Sequence, residues 1–217
     1  ISEGRTRMKS LQKVAILTLI CALMTLSAGS GLTQRIYDFE KMSKDLVTLL
    51  TIAGFSVADN LDVINLHKAK LGMPLPEGEP YSYKGIDPVT FAKTITRDFT
   101  TRTGIEIRFV SEGKGGYGPR NPADLPDEWE QAQINRFKDI GLPPGVGFGE
   151  FLKVGEKPKR VIYRYFFPLY MQERCMKCHG DPATSPTGDK KDITNYYMEN
   201  YKLGELRGGI SVTFPIS

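Results

Sequence analysis

Arg160-Val-Ile-Tyr-Arg-Tyr-Phe-Phe-Pro168 is a run of β-branched and aromatic residues closed by a proline, and it reads as a strand. Upstream, Phe151 to Val154 forms a shorter run of the same kind, and the turn residues from Gly155 to Pro158 predict a hairpin between the two. Downstream, Arg207-Gly-Gly-Ile-Ser-Val-Thr-Phe-Pro215 reads as a further strand. Ile105-Glu-Ile-Arg-Phe-Val110 alternates apolar and charged residues, the pattern of a strand with one buried face. Helical segments lie before and between these strands. Asp87-Pro88 sets an acceptor side chain before a first-turn proline and opens a helix running to Thr103-Gly104. Pro126-Asp-Glu-Trp-Glu130 opens another, with its acidic residues at the positive end of the helix dipole. Residues 72–85, 113–124 and 141–149 are rich in Gly and Pro and read as loops. A hairpin and further strands separated by helices predict an α+β domain built on an antiparallel sheet.

The composition suits one globular domain with an appendage: 217 residues, 40% apolar and 25% charged, which excludes a disordered or multi-span membrane chain. Charge is unevenly spread. Residues 1–35 hold Arg5, Arg7, Lys9, Lys13 and Arg35 against Glu3 alone, which accounts for the whole net charge of +4. The remainder is balanced, and a balanced body lacks the basic face that displaces counterions from nucleic acid. Residues 14–34 carry no charge and open with an apolar run. As a helix at about 1.5 Å per residue they would span roughly 30 Å, enough for a bilayer core. The small residues Ser27 to Gly31 also suit signal peptidase, so residues 1–34 are expected to be a retained signal-anchor or a cleaved signal peptide, with the anchor favoured. Either way the basic residues precede the apolar run, which holds the N-terminus in the cytoplasm and exports the body to the periplasmic side. Cys21 within the run reads as a small apolar residue, because Leu19-Ile20 before it do not suit a lipidation site.

Residues 35–72 are expected to form a long amphipathic helix. Its apolar positions are Ile36, Phe39, Met42, Leu46, Leu49, Ala53, Val57, Leu61 and Ile64, spaced by three or four. The stripe suits packing on the domain, or a dimer through the helix.

The chemistry sits in Cys175-Met-Lys-Cys-His179. Cys-x-x-Cys-His is the attachment signature of c-type haem. Two thiols one helical turn apart reach the two vinyl groups on one porphyrin edge, and the imidazole that follows lies beneath the iron. Three other readings stay open. A thioredoxin-like dithiol would use Cys175 and Cys178 but has no need of His179. A zinc site could recruit Cys175, Cys178 and His67, yet would want a fourth ligand. A structural disulfide suits an exported body. One covalent haem, with His179 as the proximal iron ligand, accounts for all three residues and for the export signal. For the sixth iron position His67 is the first candidate distal ligand and Met73, beside Pro74, the weaker one; Met42, Met171 and Met198 read as packing. The Asp189-Lys-Lys-Asp192 run reads as solvated loop charge, and no cluster of acid, base or nucleophile is apparent near the motif, so an enzyme is not expected.

Five blocks, in this order along residues 60–217, resemble a known family. They are Gly85-Ile-Asp-Pro-Val-Thr-Phe-Ala92; Arg120-Asn-Pro122 with Pro126-Asp-Glu-Trp-Glu130; Arg164-Tyr-Phe-Phe-Pro168; Cys175-Met-Lys-Cys-His-Gly-Asp-Pro182; and Tyr201-Lys-Leu-Gly-Glu-Leu-Arg-Gly-Gly-Ile-Ser-Val212. The family is the single-haem c-type domains with a PAS-like fold, which form exported sensor modules of bacterial histidine kinases and chemoreceptors and occur alone in cyanobacteria. The resemblance implies a PAS-like antiparallel sheet flanked by helices over residues 73–217, with haem linked through Cys175 and Cys178 and ligated by His179. It also implies a variable distal ligand, thiolate, methionine or water; the thiolate is not expected here, because Cys21 lies in the membrane segment.

Two functions follow as expectations. The first is a membrane-anchored monohaem cytochrome on the periplasmic side, passing single electrons to a redox partner protein or serving as an accessory subunit of a membrane complex. The second is a haem-based sensor of redox poise or of O2, NO or CO. Sensor members usually continue into a signalling domain, whereas this sequence ends at Ser217 with about a dozen residues before the apolar run, so a sensor would need a separate signalling partner.

Overall fold

A computed structural model describes residues 34, 37–61, 63, 87–141, 143–156 and 159–216. The expected membrane segment, Cys21, His67, Met73 and the expected loop over 72–85 lie outside these residues. Among the described residues no helix is long and apolar enough to cross a membrane. The chain divides into two units, Ile1–Met42 and Ser43–Ser217. Residues 37–42 of the first are helical.

The second unit begins with helix α1, residues 43–59. Its buried positions are Ser43, Val47, Leu50 and Gly54, spaced by four, three and four. This corrects the expected stripe. Leu49, placed in that stripe, is 67% exposed, and Val47 and Leu50, left out of it, are buried, while the predicted Leu61 is buried. Ser43 and Gly54 are buried without being apolar, and a count of apolar residues does not register them. At its C-terminal end α1 meets the turn that precedes the cysteine motif: Arg174 donates to Asp59 at 2.5 Å and lies 4.5 Å from the Phe55 ring.

The rest is α+β. Helix α2 (Pro88–Thr103) is capped as expected, with Asp87 accepting from the N–H groups of Val89 and Thr90 and Gly104 closing the end at φ 73°. It packs on strand β1 (Glu106–Val110). Helix α3 (Glu128–Ile140) starts in a capping box made by Asp127 and Glu130. Strands β2 (Phe148–Val154) and β3 (Arg160–Tyr170) form the expected hairpin, and β4 (Leu206–Ile216) completes an antiparallel sheet of order β1-β4-β3-β2. Register is fixed by pairs such as Phe109 with Ile210 and Tyr165 with Val212.

One face of the sheet is covered by α3 through Val110, Ile134, Phe137 and Phe166, with the Phe137 and Phe166 rings 5.8 Å apart. The Gly208-Gly209 pair in β4 has a steric cause. At Gly209 a Cβ would fall 2.2 Å from the Phe166 ring, and Gly208 has φ +147° with a Cβ position 2.0 Å from the Val110 carbonyl. A charged cluster reinforces the same face. Glu130, with 0% exposure, accepts from Arg164 at 2.9 Å and pairs with Arg108 at 3.3 Å, while Arg164 also donates to Asp127 at 2.8 Å and stacks on Trp129. Two of the blocks singled out in the sequence, Pro126-Asp-Glu-Trp-Glu130 and Arg164-Tyr-Phe-Phe-Pro168, thus meet across the helix–sheet contact.

Candidate functional site

Between β3 and β4 the chain leaves the sheet, and the motif sits on its first compact turn. A 3-10 turn, Glu173–Cys175, runs directly into the one-turn helix α4 (Met176–His179). Cys175 has right-handed helical angles, φ −78° and ψ −23°, so Cys175 and Cys178 lie one turn apart on one face, as the spacing predicts. Both are free thiols and half-buried. The backbone N–H of Gln172 points at the Cys175 sulfur at 3.5 Å.

The motif is strapped down by the segment that leads into β4. Tyr201 N–H donates to the His179 carbonyl at 2.9 Å, and Asn200 N–H to the Gly180 carbonyl at 3.0 Å, with Asn200 in the left-handed region at φ 59°. These bonds set Glu199 beside His179, whose Nδ1 lies 2.8 Å from Glu199 Oε2. Glu199 is 4% exposed and is held on its other side by Arg120, at 3.1 Å to each oxygen, and by Arg207 at 3.4 Å. Arg120 extends the network: it donates to Asp192 at 2.6 Å and to the Cys178 carbonyl at 2.7 Å. Asp192, itself 0% exposed, also accepts from Thr194 and from the Tyr196 N–H.

Electrostatics fix the protonation of this group. Burial pushes the Glu199 carboxyl up, but the His179 contact and the Arg120 guanidinium outweigh it and hold the group at about 2, so it is ionised. Burial, with Arg120 nearby, pushes His179 down, towards the neutral imidazole. An ionised carboxylate only accepts, so His179 Nδ1–H is the donor and the lone pair of the ring stands at Nε2. Burial first, then Asp192, pushes the Cys178 thiol up to about 12. A redox dithiol wants the opposite shift. Among the described residues no group of three or more His, Cys, Asp and Glu side chains is placed to hold a metal ion.

Cys175, Cys178 and His179 therefore come together as expected, while His67 and Met73 lie outside the described residues. Two expectations are corrected. Asp192 is buried in an ion pair and is no solvated loop charge, and acidic side chains do stand at the motif, in Glu199 and Asp192. Glu199 and the role of Arg207 were missed altogether. The available signal was Arg120-Asn-Pro122, whose arginine reaches the motif and whose Asn121 caps the 3-10 turn Pro122–Asp124.

Residues 22–215 match the model of the Tll0287-like family. The chain belongs to that family. Among solved structures it is similar to the cyanobacterial haem protein Tll0287, with 19% identity, a TM-score of 0.52, and coverage of 81% of this chain and 95% of that one. No curated protein matches. The Tll0287-like match takes in all five sequence blocks, and four of them contribute residues to the two buried charge clusters or the motif, whereas Arg108, Asp192 and Glu199 lie outside the blocks.

Proposed function

We propose that this Tll0287-like chain is a monohaem c-type cytochrome domain with a PAS-like fold, which binds one haem through thioether bonds to Cys175 and Cys178 and through His179 Nε2 as proximal ligand. The observation that carries the reading is the bond from His179 Nδ1 to Glu199, which leaves Nε2 as the ligating atom on the same turn as two free thiols. When bound, haem supplies one-electron chemistry. Around it the protein does the holding. Arg120 grips the Cys178 carbonyl, the 199–201 strap pins the backbone on the other side of His179, and Gly180 is buried so tightly that a Cβ there would lie 2.5 Å from the Met176 carbonyl.

In this reading the domain works on the periplasmic side of the inner membrane, tethered by residues 1–34. It passes electrons to a redox partner protein or membrane complex, without catalysis and without nucleic acid. The sixth iron position falls to His67 first and Met73 second, and the exposed side of the long helix is available to a second copy.

The test is an optical spectrum of protein purified from cells equipped for haem attachment, reduced and oxidised, with and without CO. A haem stain on a denaturing gel accompanies it. Covalent haem with a six-coordinate reduced spectrum indifferent to CO supports electron transfer. Covalent haem that is high-spin and shifts with CO turns the assignment to a gas or redox sensor acting through a separate signalling partner. No covalent haem overturns both.

A further inference from the structure

We propose that Glu199 is the positioning residue for His179: it fixes the ring's tautomer and rotation, strengthens Nε2 as an electron donor to iron, and so lowers the reduction potential. The inference deepens the haem reading above and rests on it.

Geometry leaves Glu199 little freedom to do anything else. Its carboxylate is anchored on one side by Arg120 Nε and Nη2 at 3.1 Å and by Arg207 Nη2 at 3.4 Å, so it cannot swing away from the imidazole. The backbone bonds from Tyr201 to His179 and from Asn200 to Gly180 hold the two chain segments in register, and the Tyr201 ring stands edge-on to the imidazole at 86°. His179 Nδ1–H then has one acceptor, 2.8 Å away.

Charge points the same way. Glu199 and Asp192 are balanced by Arg120 and Arg207, so the buried carboxylate keeps its charge without needing a protonated imidazole. A ligating histidine whose distal N–H is pulled towards a carboxylate becomes more basic at its other nitrogen. A stronger donor favours the oxidised metal, which is a lower potential. A purely structural ion pair would serve as well with any anion at this place; a positioning residue needs the reach of the glutamate side chain.

The test is a redox titration of the haem-loaded chain and of Glu199→Gln and Glu199→Asp, with haem content and circular dichroism as controls for folding. Aspartate keeps the charge and loses the reach. Both variants are expected to shift the equilibrium towards reduction by tenfold or more, a rise of 59 mV or more for one electron. A rise in the glutamine variant alone would reduce Glu199 to a charge near the haem and overturn the positioning role, and so would no rise in either. Should the variants fail to fold, the wild-type protein decides: in the proton NMR spectrum of its oxidised form the His179 Nδ1 proton should exchange slowly with water, and fast exchange counts against the inference. A wild-type chain without covalent haem fails at the earlier step, before Glu199 is questioned.

Discussion

Glu130 and Glu199 are both buried carboxylates gripped by two arginines, one pair being Arg108 and Arg164, the other Arg120 and Arg207. They differ in what takes the remaining acceptor capacity. At Glu130 it is the backbone N–H of Asp127, at 2.9 Å, so the cluster closes on the start of α3 and ties that helix to β1 and β3. At Glu199 it is the imidazole of His179, and the surrounding residues come largely from irregular chain between strands. Buried ion pairs add little net stability over apolar packing, yet removing one partner is costly because the other charges stay behind. The first cluster therefore spends its bonds on the fold. The second leaves one bond for a ligand-bearing side chain.

The largest expected effect tests the first half of that contrast. Glu130→Ala takes the buried carboxylate away from Arg108 and Arg164 and should cost about 3–5 kcal/mol in urea denaturation. In the protein that remains folded, the haem spectrum and potential should not move. A change in potential comparable to that of Glu199→Gln would erase the distinction between the clusters.

Asp192→Asn probes the second half. It removes the charge that shares Arg120 with Glu199 and should cost about 1.5–3 kcal/mol, the range for a hydrogen bond to a charged group. Arg120 then draws more heavily on Glu199, which weakens the pull on His179, so the potential should rise. If redox titration shows no rise, Asp192 belongs with the structural group.

Gly209→Ala acts on the Glu130 side without touching charge. The added methyl meets the Phe166 ring, and overpacking of this kind costs about 1–3 kcal/mol. Making it together with Phe166→Leu should recover part of the loss, and denaturation midpoints of the three variants read this directly. Additive losses would mean the two positions do not share the space.

What the sequence made legible divides along the same line. The caps at Asp87 and Gly104, the β2–β3 hairpin and the cysteine turn are local patterns, each complete within a few residues, and each is found in the structure, although β2 begins at Phe148, inside the stretch expected to be a loop. Glu199 and Asp192 carry no such pattern. Their arginine lies 79 and 72 residues away in the chain, and a carboxylate among lysines and asparagines looks solvated until the fold brings Arg120 to it. The inward side of α1 escaped for a related reason, since Ser43 and Gly54 are buried there and hydropathy does not mark either as a core residue.

The smallest effect supplies the reference for both clusters. On the outer side of α3, Glu112 takes hydrogen bonds from Lys138 and Gln131, with both members of the ion pair substantially exposed. Burial raises the Glu112 carboxyl, but those two hydrogen bonds and the charge of Lys138 outweigh it, and the net position is below the usual carboxylate range. A folded value below the unfolded one means a contribution present above the unfolded value and lost as pH falls through the folded one. Glu112→Gln should therefore cost no more than about 0.5 kcal/mol at neutral pH. That small cost should vanish in acid, and also in about 1 M salt, where screening acts within a few ångströms. The buried clusters exclude the ions that screen, so the cost of Glu130→Ala should survive the same salt. If it too disappears, Glu130 is behaving as a surface charge, and the separation between a cluster that holds the fold and one that holds a ligand loses its first term.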